Sequence, residues 1–245
     1  MTSKFLLRCA TWNVHRAKGT DGRRSAARIE TVVADVIAPT TPDILALQEA
    51  DEECRPHQGI LDMARLATAT GLVSVHDGPE LRWGRESDGF LGTVLFLSPR
   101  LRRTHADVID LPGHCHRGAI SVETRCEDRA VRVVSTHLSL SQPLRIIQMR
   151  IIGQYLRRRP KMQTIFLGDF NEWRPWGGLM LHPKIVGTRF RGPARPTFPS
   201  WRPLLALDRI LTDGGGDVRS TKVLAQTETR LASDHLPLSG EVTVL

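Results

Sequence analysis

The hydrophobic pattern of the chain alternates between two periods. Short apolar runs at residues 6–14, 44–47, 72–75, 90–97, 119–122, 131–137, 164–167, 205–211 and 239–245 predict strands. Between them, apolar residues at near-helical spacing predict helices over 23–38, 59–70 and 144–158. Pro39 stops the first, Gly71 ends the second, and Pro143 sits where a first helical turn tolerates proline. Residues 119–122 and 131–137 read as a strand pair with its turn at Glu127-Asp128, and Gly214-Gly215-Gly216 reads as a turn. Residues 173–201 are rich in Gly, Pro, Arg and Trp and read as one long irregular segment, a kind of loop that is often functional. There is no internal repeat or obvious linker. Hairpins mixed with helical crossovers predict a single α/β domain with mixed sheets over residues 1–245.

Composition narrows the class. With 40% hydrophobic and 24% charged residues in 245, the chain is not of the disordered kind and is long enough to bury a core without disulfides. The 34 basic and 26 acidic residues leave a net charge of +8, carried by 29 Arg and only 5 Lys. That excess fits an anionic partner or a coding bias that swaps Arg for Lys on a solvated surface, and charge alone does not separate the two. The four cysteines, Cys9, Cys54, Cys115 and Cys126, form no C-x-x-C pair, which fits a reducing compartment. Phe5-Leu6-Leu7 is too short for a signal-peptide core, and no run approaches a membrane span. A cytoplasmic monomer is expected, with peripheral contact to a membrane left open.

Five segments place polar side chains where an apolar strand stops, and open α/β sheets build sites at strand ends. Asn13, in Thr11-Trp12-Asn13-Val14-His15, is either a ligand or a loop cap. Glu49 follows an apolar run and Gln48 in Leu45-Ala46-Leu47-Gln48-Glu49; such a carboxylate needs an ion partner or a hard cation such as Mg²⁺. His137 ends Val131–His137 and is either a phosphate donor or a satisfied structural histidine. Asp169 and Asn171 stand two apart after an apolar strand, so in extended backbone both reach one centre; an Asx turn is the plainer alternative. Asp234 and His235 adjoin before the last strand, offering a carboxylate and a titratable base. Asp208, an acid inside an apolar run, wants a cationic partner, and His235 is a candidate.

Taken together and in order, these segments resemble the endonuclease/exonuclease/phosphatase superfamily, the group of the DNase I-like nucleases. The matching residues are Thr-Trp-Asn-Val-His at 11–15, Leu-Gln-Glu at 47–49, Arg-Gly-Ala at 117–119, Thr-His-Leu at 136–138, Gly-Asp-Phe-Asn at 168–171, Leu-Asp-Arg-Ile at 207–210 and Ser-Asp-His-Leu-Pro at 233–237. The resemblance implies a four-layered α/β sandwich, with two mixed β-sheets packed face to face and helices outside. It also implies hydrolysis of a phosphate ester with Mg²⁺, for which Mn²⁺ can substitute. On this resemblance Glu49 is the main metal ligand, with Asn13 and Asp234 assisting. Asp169 positions or deprotonates the attacking water, Asn171 binds the phosphate and orients Asp169, and His137 stabilises charge on its oxygens. His235, oriented by Asp208, acts as acid/base or as a donor to the phosphate. Arg117 supports the site from behind.

The resemblance leaves the substrate open. Asp208 is followed by Arg209 where many family members carry an aromatic residue. The single tyrosine, Tyr155, falls on a predicted helix, so there is no counterpart of the Tyr-bearing loop of abasic-site endonucleases. Trp83, Trp173, Trp176 and Trp201 lie outside the clear strands and either pack on their own loops, stack bases or sit at a lipid interface. Three readings follow: a nuclease or general phosphodiesterase; a hydrolase for a phospholipid head group or soluble phosphate ester; and a binding module with a vestigial site. A basic stripe beside the site belongs to the first, and an exposed apolar rim containing Trp173 or Trp176 to the second. His114-Cys115-His116 superficially resembles a zinc cluster but reads as a loop before the strand that begins at Arg117.

Overall fold

The computed structural model describes residues 5–113 and 117–245; the His114-Cys115-His116 segment lies outside the described residues. In chain order the strands are β1 (Phe5–Asn13), β2 (Ile44–Gln48), β3 (Val73–Ser74), β4 (Val94–Leu97), β5 (Arg102–Leu111), β6 (Arg117–Cys126), β7 (Arg129–His137), β8 (Gln163–Asp169), β9 (Asp208–Thr212), β10 (Val218–Val223) and β11 (Leu238–Val244). The helices are α1 (Ala26–Val32), α2 (Met63–Thr70), α3 (Gln142–Arg158), α4 (Pro183–Val186) and α5 (Thr227–Ala232).

The strands form two sheets, ordered β10-β11-β1-β2-β4-β3 and β5-β6-β7-β8-β9. Each is mixed: β1–β2 and β7–β8 are parallel, and the other pairings are antiparallel. The period of two sorts side chains between cores. Leu7 and Cys9 of β1, Ala46 of β2, Leu95 of β4, and Ile165 and Leu167 of β8 meet between the sheets. The alternate residues Ala10, Trp12, Leu45 and Phe96 face α1 and α2, with Ile29 and Leu66 opposite. Phe166 and Val134 face α3, against Met149 and Ile152. Strands buried on both faces carry no polar alternation, which is why these runs read as uniformly apolar. The result is the expected four-layered sandwich, helix–sheet–sheet–helix.

Two strands escaped the hydrophobic pattern for one reason. β5 and β10 are edge strands with few buried residues, so their sequences are mostly polar. The strand expected at 205–211 starts later, so Asp208 is its first residue rather than embedded in it. The expected helix over 23–38 is α1, capped by Ser25 Oγ accepting from Arg28 N (3.3 Å), continuing as a π turn at Val33–Ile37. The short α5, which the periodicity did not mark, opens on a capping box between Gln226 and Thr229.

Candidate active site

The sheets deliver the polar residues to one edge by register. In the second sheet His137, Asp169 and Asp208 are lateral partners across β7, β8 and β9. In the first, Asn13 pairs with Gln48, and Glu49 is the next residue. Gly168 allows this close approach: it sits at φ +137°, and a Cβ there would fall 2.0 Å from Thr136 O. His15, Arg16, Glu49 and Asn171 all hold left-handed backbone, at φ between 48° and 57°. Such strained non-glycine positions cluster where a surrounding framework enforces them.

At the centre stands Asp169. Its Oδ2 accepts from Asn13 Nδ2 at 2.9 Å, and its Oδ1 accepts from Asn171 N at 2.9 Å. His137 Nε2 is 3.5 Å and His235 Nε2 3.9 Å from Oδ2. Asn13 Nδ2 also leans toward Glu49 Oε1 at 3.4 Å, while Asn171 Nδ2 donates to Leu138 O. His235 Nδ1 lies 2.9 Å from Asp208 Oδ2, an atom that also accepts from Thr197 Oγ1. Phe198 packs on the His235 ring, with centroids 4.9 Å apart. The indole of Trp12 donates to His235 O and Ser233 Oγ to Asn13 O, tying the first sheet to this loop.

The electrostatics push these groups apart. Burial raises the Asp169 carboxyl to about 6, against the nearby His235 charge and the hydrogen bonds from Asn13 and Asn171. Burial alone would lower His235, but the Asp208 and Asp169 carboxylates outweigh it and hold the imidazole at about 10. His137 is held well below its ordinary range by burial, reinforced by the charges of Arg117, His235 and Arg16. Near neutral pH the edge therefore presents an ionised Asp169, a protonated His235 and a neutral His137.

Two oxygen-rich corners bear on metal binding. Glu49 Oε2 is buried without a hydrogen-bond donor, although Arg16 Nη1 lies 2.9 Å away and off the hydrogen-bonding direction. Asp208 Oδ1 is likewise buried without a donor. Asp169, Asp208 and His235 have ligand atoms mutually within 4.8 Å. In that trio, however, His235 Nδ1 and Asp208 Oδ2 already face each other in an ion pair. Glu49, whose Oε2 lacks a hydrogen-bond donor, fits a hard cation better, although Asn13 turns its Nδ2 toward it and its Oδ1 to His15 N. Glu49 also lines a narrow cleft with Arg16, Glu52, Glu53, Arg117 and His137.

Seven of the eight expected residues meet here. Asp234 stands apart from Glu49: its half-exposed carboxylate faces His15 Nδ1 at 3.5 Å, on the rim. The sequence reading missed Arg16, one residue beyond the first motif, which reaches Glu49 and, at 3.5 Å, Glu53. It also missed Thr197, which anchors Asp208 from within the long irregular segment.

A two-sheet α/β sandwich with acid, amide and imidazole groups converging on one edge defines the class: the fold is that of a phosphoesterase. The chain belongs to the Endonuclease/Exonuclease/phosphatase family, whose sequence model matches residues 10–235. It is 24% identical to the uncharacterized protein YbhP of Escherichia coli K12 over 251 aligned positions, covering 98% of each chain. Among solved structures it resembles an endonuclease/exonuclease/phosphatase of Beutenbergia cavernae, with TM-score 0.68, 22% identity, and coverage of 98% of this chain and 72% of that one. It also resembles a mannosyl-6-phosphatase of Bacteroides thetaiotaomicron, with TM-score 0.73, 17% identity, and coverage of 96% and 99%.

Proposed function

We propose that the protein is a divalent-metal-dependent hydrolase of phosphate esters, acting on a phosphodiester by attack of water. The observation that carries this reading is Asp169. It is buried, held by Asn13 and Asn171 through different oxygens, and flanked by one neutral and one protonated histidine.

Each residue has a part. Asp169, lifted to about 6, orients the water and takes its proton near neutral pH. His235, kept cationic by Asp208, donates to the phosphate oxygens through Nε2, where charge builds up in the transition state. His137, neutral, places a hydrogen bond on the same oxygens. Asn171 fixes Asp169 through its backbone N–H and holds the Leu138 turn through its side chain. Glu49, with Asn13, would hold Mg²⁺ or Mn²⁺, and Asp234 would join through its water shell. The bound cation would supply Lewis-acid stabilisation of the phosphoryl charge. The Arg16 guanidinium, 2.9 Å from Glu49 Oε2, supports the reading that this buried carboxylate is matched to positive charge.

The test is an assay of metal-stripped protein against bis-p-nitrophenyl phosphate, plasmid DNA, RNA and phospholipid, with Mg²⁺ or Mn²⁺ restored. Activity that needs the cation and falls on the order of a hundredfold or more in Asp169→Asn and His235→Ala is expected. Equal activity in wild type and both variants would sink the assignment.

A further inference from the structure

We propose that Thr197 is a positioning residue of the site. Its hydroxyl fixes which oxygen of Asp208 meets His235 and, with Phe198 against the imidazole, aims His235 Nε2 at the edge where Asp169 stands. What Nε2 does there rests on the hydrolase reading above; how it is held does not.

The Asp208 carboxylate is loaded unevenly. It is fully buried, and its Oδ2 accepts from Thr197 Oγ1 at 2.5 Å while lying 2.9 Å from His235 Nδ1. Its Oδ1, equally buried, has no donor among the described residues. The two oxygens of a carboxylate are equivalent acceptors, and leaving one bare in the interior is costly. A carboxylate facing His235 alone would have no side-chain donor to tell its oxygens apart, and the ring could settle on either. A second donor on Oδ2 removes that choice. The Thr197 oxygen also lies 3.5 Å from Asp208 N, so one hydroxyl reaches both backbone and carboxylate of the same residue.

The hydroxyl is not needed by its own loop. Thr197 N donates to Leu205 O, and Leu236 N donates to Thr197 O. Phe198 and Leu205 close the segment as an isolated bridge. The backbone of this irregular segment is therefore paired without the side chain. Thr197 is fully buried, and its hydroxyl is directed to a carboxylate eleven residues further on.

The rest of His235 is fixed from other sides. Trp12 Nε1 donates to His235 O, and His235 N donates to Ser233 Oγ. Phe198 lies across the ring, with centroids 4.9 Å apart and planes tilted by 51°. With the backbone held and one face covered, the remaining freedom is the swing of the imidazole. The Nδ1 contact to Oδ2 stops that swing and leaves Nε2 3.9 Å from Asp169 Oδ2. Such aim matters, because a misplacement of about 1 Å in a catalytic group can cost on the order of a hundredfold in rate.

The experiment compares Thr197→Val, which keeps the shape and loses the hydroxyl, with Thr197→Ser, which keeps the hydroxyl. Proton NMR of the metal-free full chain near neutral pH follows the downfield Nδ1–H of His235. Kinetics with bis-p-nitrophenyl phosphate and Mg²⁺ or Mn²⁺ follow the reaction. An exchange-protected Nδ1–H resonance is expected in wild type and Thr197→Ser, and its loss or broadening in Thr197→Val, with the fold checked by circular dichroism. In Thr197→Val kcat should fall roughly ten- to a hundredfold with KM within about twofold, and Thr197→Ser should stay within about threefold of wild type. If Thr197→Val does not fold, Thr197→Cys, whose thiol is only a weak donor, is read in its place by the same two measures. An unchanged resonance and kcat in the variant lacking the hydroxyl overturns the proposal. So does an equal loss in Thr197→Ser, which would assign the effect to packing. A wild type that shows the resonance but hydrolyses no diester sinks the hydrolase reading, and the NMR comparison alone then decides how His235 is held.

Discussion

Replacing Asp208 by Asn isolates the electrostatic design of the site. His235 Nδ1 lies 2.9 Å from Asp208, and Nε2 lies 3.9 Å from Asp169. At an effective dielectric of about 20 these pairs are worth roughly 6 and 4 kcal/mol. Lifting an imidazole from 6.5 to about 10 corresponds to about 5 kcal/mol, so burial cancels about half of that attraction. Removing the Asp208 charge therefore erases the whole net gain and returns His235 to near or below its ordinary value. The introduced amide keeps an oxygen for Thr197, so the fold is retained. Imidazole ¹⁵N NMR of metal-free protein reads the result directly. His235 should stay protonated until about pH 10 in the wild type and lose its proton near or below neutrality in Asp208→Asn. Activity should fall by about 10²–10⁴. The stability that His235 contributes is full below its unfolded value and lost as pH rises through about 10, so the stability gap between the two proteins should close in alkali. A wild-type His235 that titrates near 6.5, or an unmoved midpoint in the variant, would refute the reasoning.

Three further outcomes follow from the framework. Arg209→Met leaves the carbonyls of Glu172, Arg174 and Pro175 without their donor and should cost about 3 kcal/mol in urea unfolding, with new protease sensitivity at residues 173–176. Gly168→Ala forces a Cβ to 2.0 Å from Thr136 O in backbone that disfavours it; a loss of about 3 kcal/mol or more is expected, and a Tm within a degree or so of wild type would contradict it. His76, 1% exposed, bonds Leu81 O through Nδ1 and accepts Leu95 N at Nε2, and burial lowers it to about 4. Its neutral form is thus favoured in the fold, so about 3 kcal/mol of stability should disappear as pH falls from 6.5 to 4. His76→Gln should flatten that part of the stability curve.

Much of the architecture was legible in the linear pattern because the central strands are covered on both faces. Ile44–Gln48 and Gln163–Asp169 are buried along their length around apolar centres, and each ends on a polar group that burial makes conspicuous. The ordered motifs were enough to name the family and seven residues that converge. The periphery was not legible. β5 and β10 bury little and so leave no hydrophobic signature, and α5 is too short to show a helical period.

What the sequence determined by itself was local: which segments are strands, where they stop, and which reactive side chains stand at their ends. Only the tertiary structure decided how those ends pair. The register of β7, β8 and β9 sets His137, Asp169 and Asp208 side by side, and a loop 27 residues beyond Asp208 returns His235 to it. The same holds for proton affinities, which depend on burial and on charges remote in sequence: Asp169 rises and His137 falls for reasons no linear pattern contains. Asp234 shows the converse. It adjoins His235 in sequence yet faces His15, because chain direction, not proximity along the chain, sets where a carboxylate points.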